Sequence, residues 1–480
     1  MKRTLTLLPF IIGICMSGPA VQAQDYLVDF TYLGKKTKLE LFFLFGQAVD
    51  YDVEYYRVHY KTPDVHGVPD TASGLMVFPI VPAGTALPMV VYAHGTTAGP
   101  NDVPSRLLGG YQVALAYASK GFVTAAPDFL GLGDARGFHP YIHAASEASA
   151  CFDMLNATVE YLESHEPDWD VEHLFLAGYS QGGHVSAALH KYLQDYWSFI
   201  YPVTASTHMS GPYSISGVMK AKILSDDSYG FPAYIAYVSL GLQEAYGNLY
   251  DSLPAFFREP FATSIGEFRN GNIDLDELNA LLITQLSASG DTINKRMLQD
   301  SVVERMTNDP SYAVNIALAD NDLYNWIPET PTRLYYCTGD LQVPYQNAIA
   351  ADSAMNALGA VDAHAINQGD GLDHGPCVIP SVINSVAYFQ SFLGSSSIAD
   401  LSKNPEAIAL LPNPATDYVT VNWEAAAGGV EYQIIDVNGR IIRHANTASN
   451  SIAVYDLQAG VYVVVITAGK ETRIARLIRS

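Results

Sequence analysis

Three segments of this chain, residues 88–93, 121–126 and 174–177, are apolar almost without interruption. A strand with apolar side chains at every position has no face to give to water, so each must lie inside a sheet covered on both sides. Helix-like segments at 111–119 and 146–164 fall between them, and strands alternating with helices fold as a parallel, doubly covered α/β sheet. Strand patterns at 51–60 and 74–79 precede this core. The pattern at 206–209 follows it, and after an interruption come strands at 332–338 and 363–367 and a helix over 380–393.

The interruption, residues 213–328, holds helical patterns and many aromatics, among them Tyr213, Tyr229, Phe231, Tyr234, Tyr237, Tyr246, Tyr250, Phe256, Phe257 and Trp326. Its size and place are those of a helical cap inserted into the sheet. Most of these aromatics are expected to hold the cap's own core, and the remainder to line a pocket beneath it.

With 480 residues the chain is too long for one ordinary domain. A Gly-Ser-Ser-Ser stretch at 394–397 opens a linker, placed over 396–411, and residues 412–480 change character to short alternating strands at 418–423, 431–437, 440–443, 452–455 and 461–467. Asn438-Gly439 between two of them is a hairpin signal, and the whole reads as a small β-sandwich. The α/β domain then spans 24–395.

Met1-Lys2-Arg3, an apolar stretch over 5–16 and small residues up to Ala23 read as a signal peptide, 1–23, cleaved after Ala23. A lipoprotein reading of Cys15 is disfavoured because Ile14 stands where a small residue is needed. No other apolar run is long enough to span a bilayer, so no transmembrane anchor is expected and the mature chain is read as soluble, secreted or held at the cell surface after crossing the periplasm. The net charge of −23, nearly all of it within residues 24–404, speaks against a nucleic-acid partner. Cys151, Cys337 and Cys377 are too few for a disulfide framework; Cys337 and Cys377 could pair, and three buried thiols is the competing reading.

The apolar run at 174–177 leads into Gly178-Tyr179-Ser180-Gln181-Gly182 and then a helix-like stretch. A strand that enters a helix through a turn too tight for flanking side chains lifts one serine hydroxyl above the sheet edge, at a helix N-terminus. Such a serine becomes a nucleophile if a histidine can take its proton and a carboxylate can hold that histidine, in the chain order Ser, Asp or Glu, His. Beyond the cap two histidines precede the linker. His364 lies inside a strand and reads as structural. His374 lies in the glycine-rich stretch 369–375, read as a loop, and is the expected base.

Asp340, the first carboxylate after the strand at 332–338, is the expected orienting acid, with Asp370 and Asp373 as competitors on the histidine's own loop. The backbone N–H of Gln181 and of Thr96 are the expected oxyanion donors, Thr97 being the reserve for the second. His94 reads as bracing its loop and His184 as packing. Two other motifs are set aside. Residues 270–277 resemble part of a calcium loop but read better as a helix start capped by Asp274 with Glu277 as its partner. Asp128-Phe129-Leu130-Gly131-Leu132-Gly133 lacks the lysine and spacing of a nucleotide loop.

Residues 50–395 resemble a secreted α/β-hydrolase of the secretory lipase and carboxylesterase group. The likeness rests on His94-Gly95-Thr96 with Pro104-Ser105, on residues 127–133, on residues 178–182, and on Thr338-Gly339-Asp340 with Val343-Pro344-Tyr345. It implies an oxyanion loop at the first block, a structural strand end at the second, the nucleophile at the third and the acid at the fourth. Residues 405–480 resemble the C-terminal sorting domain of type IX secretion, through Pro412-Asn413-Pro414-Ala415, residues 436–440, Ala459-Gly460-Val461-Tyr462 and the basic end 470–479. That resemblance implies the type IX machinery as partner, passage across the outer membrane and removal of the domain on arrival; a generic or carbohydrate-binding β-sandwich is the alternative.

The expectation is therefore an exported serine esterase or lipase acting on a small-molecule or lipid ester through an acyl-enzyme, with no cofactor or metal required. A serine peptidase on the same scaffold is the alternative, and a non-catalytic surface binder a third reading.

Overall fold

A computed structural model describes residues 25–45, 49–165, 169–393, 408–435, 441–469 and 471–479. The expected signal peptide, most of the linker and the Asn438-Gly439 hairpin lie outside the described residues.

Nine strands, β1 (Leu27–Lys36), β2 (Val53–Pro63), β3 (Pro69–Pro79), β4 (Leu87–Ala93), β5 (Val123–Pro127), β6 (Trp169–Tyr179), β7 (Val203–Met209), β8 (Thr332–Cys337) and β9 (Ala363–Gly369), form one sheet. Their order is β1-β2-β3-β5-β4-β6-β7-β8-β9. Every pairing from β5 to β9 is parallel. The pairings from β1 to β5 are antiparallel hairpin or edge contacts. β1 was not anticipated: it is an edge strand with mostly exposed or half-exposed side chains, so it carries no continuous apolar signal.

Helices α1 (Lys38–Phe45), α2 (Tyr111–Ala118), α3 (Ala144–Ser164) and α4 (Gln181–Tyr192) connect or flank the first seven strands. Alternate residues of the apolar strands serve opposite faces of the sheet, as a two-residue period requires. Met89 and Val91 of β4 pack with Met154 and Leu155 of α3 and Val185 and Leu189 of α4. Val90, between them, packs on the other face with Leu115 and Tyr117 of α2 and with Phe175.

Between β7 and β8 the chain builds a separate helical layer of α5 (Lys220–Leu224), α6 (Pro232–Tyr246), α7 (Leu253–Phe256), α8 (Phe261–Arg269), α9 (Leu275–Ala288), α10 (Asp300–Asn308) and α11 (Ala313–Asp320). Phe257, Ile265, Leu278, Leu282 and Met297 are wholly buried in its own core. Tyr213 and Trp326, expected in that layer, belong instead to a cluster with Leu334 and Met355 against the sheet. The stretch 270–277 is the start of α9: Asp274 Oδ1 accepts the Glu277 N–H at 2.8 Å and Glu277 Oε2 accepts the Asp274 N–H at 2.9 Å.

After β8 come α12 (Gln346–Leu358) and, following β9, α13 (His374–Leu393). α13 begins six residues earlier than expected, at His374 itself. Pro380 suggested a helix start because proline is favoured at the first helical position, but here it sits inside the helix.

Among the described residues the C-terminal part has seven strands where five were expected: β10 (Ala409–Leu411), β11 (Tyr418–Asn422), β12 (Val430–Ile435), β13 (Ile441–Thr447), β14 (Ser451–Ala453), β15 (Gly460–Ala468) and β16 (Glu471–Arg479). They form two sheets, β10-β11-β14 and β13-β12-β15-β16. β10 falls in the segment read as linker; Leu410 is buried and joins the sandwich core with Val419, Ile434, Ile452, Val464 and Leu477. β16 was hidden by its arginines, which read as a basic terminus although Ala475 and Leu477 are buried.

Candidate active site

β6 ends at Tyr179 and α4 begins at Gln181, so Ser180 alone makes the turn, at φ 60° and ψ −123°. That backbone is unfavourable for a residue with a side chain, by about 1–3 kcal/mol, and is stable only where its surroundings dictate it. They do so here. The Ser180 N–H donates to Met209 O at 2.9 Å, and a Cβ on Gly178 would come within 1.8 Å of Gly182 O. A Cβ on Gly182 would come within 1.9 Å of Ala93 O, at the end of β4. The two glycines are therefore required by close backbone approach, and Ser180 is left at the edge of the sheet with 8% of its surface exposed.

Asp340 leaves β8 three residues after its end. Its Oδ1 accepts the N–H groups of Gln342 (2.9 Å) and Val343 (2.8 Å), which fixes the carboxylate. Its Oδ2 accepts from His374 Nδ1 at 2.6 Å, both side chains being nearly free of solvent. The competing carboxylates are engaged elsewhere. Asp373 accepts the backbone N–H of Leu341 (3.1 Å) and of His374 (2.8 Å), which hold it below the usual carboxylate range. Asp370 takes Asn367 Nδ2 at 2.5 Å. His364 is half exposed beside Asp362.

His374 is a helix residue rather than a loop residue. Tyr179, next to Ser180, anchors it: the phenol donates to His374 O at 2.5 Å and the two rings lie 5.1 Å apart. The elbow and the histidine are thus joined through one side chain.

The loop after β4 crosses over the elbow, since a Cβ on Gly95 would sit 3.4 Å from Ser180 Cβ and 3.2 Å from Tyr179 O. Its neighbour Thr96 is held by its hydroxyl, 2.7 Å from Tyr141 OH, and Tyr141 stacks on Tyr237 of α6 at 4.2 Å. His94 lies wholly buried beneath, with Nδ1 2.8 Å from Gly95 O and its ring stacked on Phe129 at 4.3 Å. Burial holds its pKa below the ordinary value. This is the bracing role its position suggested.

Gln181 does more than supply a backbone. Its Nε2 lies 2.7 Å from His139 Nε2 and 2.9 Å from Glu147 Oε1. His139 faces Leu130 O through Nδ1 at 2.7 Å, so it is the Nδ1–H tautomer, with Nε2 accepting from Gln181. Burial pushes the His139 pKa down to about 4, which keeps the ring neutral. Glu147 Oε2 lies 3.0 Å from His184 Nδ1, and His184 Nε2 lies 2.9 Å from Asn321 O. Both nitrogens of His184 therefore face oxygen atoms of other segments. Burial opposes a charge on Glu147, but the bonds from His184 and Gln181 outweigh it and bring its pKa below the ordinary value. His184, expected to pack, is instead hydrogen-bonded between Glu147 and Asn321 beneath the elbow helix.

His139, Glu147 and Asn321 carried no signal in the sequence. A glutamate in the first turn of a helix is ordinary, and nothing local shows that α3 buries it beneath the elbow helix.

Asp128 is part of a second buried brace. Its Oδ2 accepts from Ser73 Oγ at 2.6 Å and its Oδ1 from the Ser105 N–H at 3.0 Å, with burial raising its pKa. Residues 128–133 thus serve structure, and Pro104-Ser105 is tied to them.

This sheet, with a serine at a strained strand-to-helix turn after β6 and a buried His–Asp pair beyond the ends of β8 and β9, has the α/β-hydrolase fold. A Legionella pneumophila protein described as a hydrolase superposes on the chain with a TM-score of 0.71 at 26% identity, over 78% of this chain and 100% of that one. The rice cell wall degrading esterase LipA of Xanthomonas oryzae gives 0.66 at 24% identity, over 78% and 98%. Candida antarctica lipase A in its closed state gives 0.57 at 14% identity, over 78% and 84%, a likeness of fold. No curated protein sequence matches the chain.

Residues 409–480 belong to the secretion system C-terminal sorting domain family. The C-terminal domain is thus a sorting signal for the type IX secretion system, which directs the protein to the cell surface or the medium, and the rest of the chain has the fold of the hydrolase structures above. Among the described residues no helix is long and apolar enough to cross a membrane.

Proposed function

We propose that the protein is an exported carboxylic-ester hydrolase working through an acyl-enzyme on Ser180. The observation that carries this reading is the 2.6 Å bond between His374 Nδ1 and Asp340 Oδ2, buried beside the elbow. A carboxylate that holds the Nδ1 proton leaves Nε2 with a lone pair, which makes the ring a base. Ser180 Oγ attacks the acyl carbon while His374 Nε2 takes its proton, and Asp340 stabilises the imidazolium that forms. The carbonyl oxygen becomes an oxyanion held by the N–H of Gln181 and of Thr96, each worth about 3 kcal/mol in the transition state. His374 returns the proton to the departing alcohol, and water then releases the acid by the same steps in reverse.

Esters are favoured over amides because Xanthomonas oryzae LipA and Candida antarctica lipase A, which share the fold, are an esterase and a lipase. The test is turnover of p-nitrophenyl esters of increasing chain length beside aminoacyl anilides, by the wild type and by Ser180→Ala. Ester turnover that falls by roughly 10⁴-fold or more in Ser180→Ala is expected. Full activity of that variant would overturn the mechanism, and anilide turnover exceeding ester turnover would make the protein a peptidase.

A further inference from the structure

Cys337 and Cys377 form a disulfide, with Cα atoms 6.0 Å apart. Cys337 is the last residue of β8 and stands three residues before Asp340; Cys377 stands three residues after His374 in the first turn of α13. The bridge therefore joins the segment that carries the acid to the segment that carries the base. We propose that it is a positioning device for the Asp340–His374 pair, an inference that rests on the triad reading above.

The argument begins with what holds these segments otherwise. The β8–β9 ladder ends at the pair Cys337↔Gly369, and past it the pairing is continued by a long backbone bond, Thr338 N–H to Gly369 O at 3.4 Å. The helix start is weak in its own right. Its sequence is His374-Gly375-Pro376-Cys377, and glycine is among the poorest helix formers. Pro380 has no N–H to give the carbonyl of Pro376, so the turn that follows His374 lacks a bond of its own helix.

Besides the buried His374–Asp340 bond that is to be positioned, the links between the two segments include Leu341 N–H to Asp373 Oδ1 at 3.1 Å and Gly371 N–H to Thr338 Oγ1 at 3.0 Å, both exposed to solvent. Exposed bonds compete with water, and a covalent bridge does not. Both cysteines are wholly buried, and each is tied to its segment by backbone: Asp340 N–H donates to Cys337 O at 3.4 Å, and Cys377 N–H to Asp373 O at 3.0 Å. The bridge thus sets the separation of two short turns, one ending at the carboxylate and the other starting at the imidazole. A proton relay is sensitive to displacements of about 1 Å, so a fixed separation matters to rate more than to binding.

The test uses the full chain and the double variant Cys337→Ala/Cys377→Ala, with two readouts. On a p-nitrophenyl ester turned over by the wild type, kcat is expected to fall about 10- to 100-fold with KM within about twofold. In proton NMR, the downfield His374 Nδ1–H resonance, assigned by its loss in Asp340→Asn, is expected to broaden or shift. A variant that melts at a lower temperature while kcat and the resonance stay as in the wild type would overturn the proposal and leave the bridge a role in stability alone. If the wild type hydrolyses no ester, the functional reading fails, and the resonance still decides the role of the bridge. If the double variant does not fold, the same readouts are taken on folded wild type whose bridge has been reduced by a phosphine. Retention of both signals there would equally overturn it.

Discussion

His374 Nδ1 and Asp340 Oδ2 lie 2.6 Å apart, while Asp373, the residue next to the histidine, is turned to two backbone N–H groups. The carboxylate that holds the imidazole is thus 34 residues away in sequence and not its neighbour. Asp340→Asn should lower kcat by about 10³- to 10⁴-fold, because an amide at that place favours the wrong tautomer. Asp373→Asn should lower it less than about tenfold. Single-turnover ester hydrolysis compares the two, and equal losses would show that the assignment of the acid is wrong.

Glu147 is the hub between Gln181 and His184. Glu147→Ala would leave Gln181 Nε2 and His184 Nδ1 buried without their acceptor, a loss of about 1–3 kcal/mol or more. Glu147→Gln keeps the shape and should cost less. Thermal melts of the two variants check the order, and a kcat loss in Glu147→Gln without a change in KM would show that the network also holds the oxyanion loop of the elbow.

Gly182→Ala places a Cβ within 1.9 Å of Ala93 O, a contact only backbone movement can relieve. It should lower stability by more than about 3 kcal/mol or prevent folding. Gly99→Ala, where a Cβ meets nothing within 4 Å, should stay within about 1 kcal/mol of the wild type. Expression yield and urea midpoints measure both.

Asp153, on α3, is buried with no partner for Oδ2, and burial pushes its pKa up to about 7. The same group titrates near 4 in an unfolded chain, so from about pH 4 to 7 the folded state holds a proton that the unfolded state releases. Its contribution is therefore most favourable below about pH 4 and declines as pH rises to 7, by up to about 4 kcal/mol. Asp153→Asn should flatten the melting temperature across that window and stabilise the protein at pH 8. A variant whose pH profile parallels the wild type would show that Asp153 does not carry the effect.

Removal of the chain from residue 409 onward should retain the protein in the periplasm of a host with a type IX system, because that domain is the sorting signal. Cell fractionation with an activity assay reads the result; surface delivery of the truncated chain would contradict it.

The sheet was legible because it is a local property. Residues 88–93, 121–126 and 174–177 are apolar almost without interruption, and burial on both faces follows from that alone. The elbow was legible as a local pattern of glycines around one serine, although only Gly178 is demanded by a contact a few residues away and Gly182 makes room for Ala93 O of β4. Edge strands were not: β1 and β10 are short of apolar residues or half exposed, and their pairing depends on neighbours elsewhere in the chain.

Sequence alone therefore determined the layered α/β core, the serine at its turn, the carboxylate after β8, the histidine after β9 and the β-rich sorting domain. Tertiary structure decided which carboxylate meets the histidine, that Cys337 and Cys377 are bonded, and that Glu147, His139 and His184 meet beneath Gln181. Strand period and turn chemistry are written within a few residues. A buried polar contact is made by groups tens of residues apart, and its energy depends on the water excluded when those elements close together.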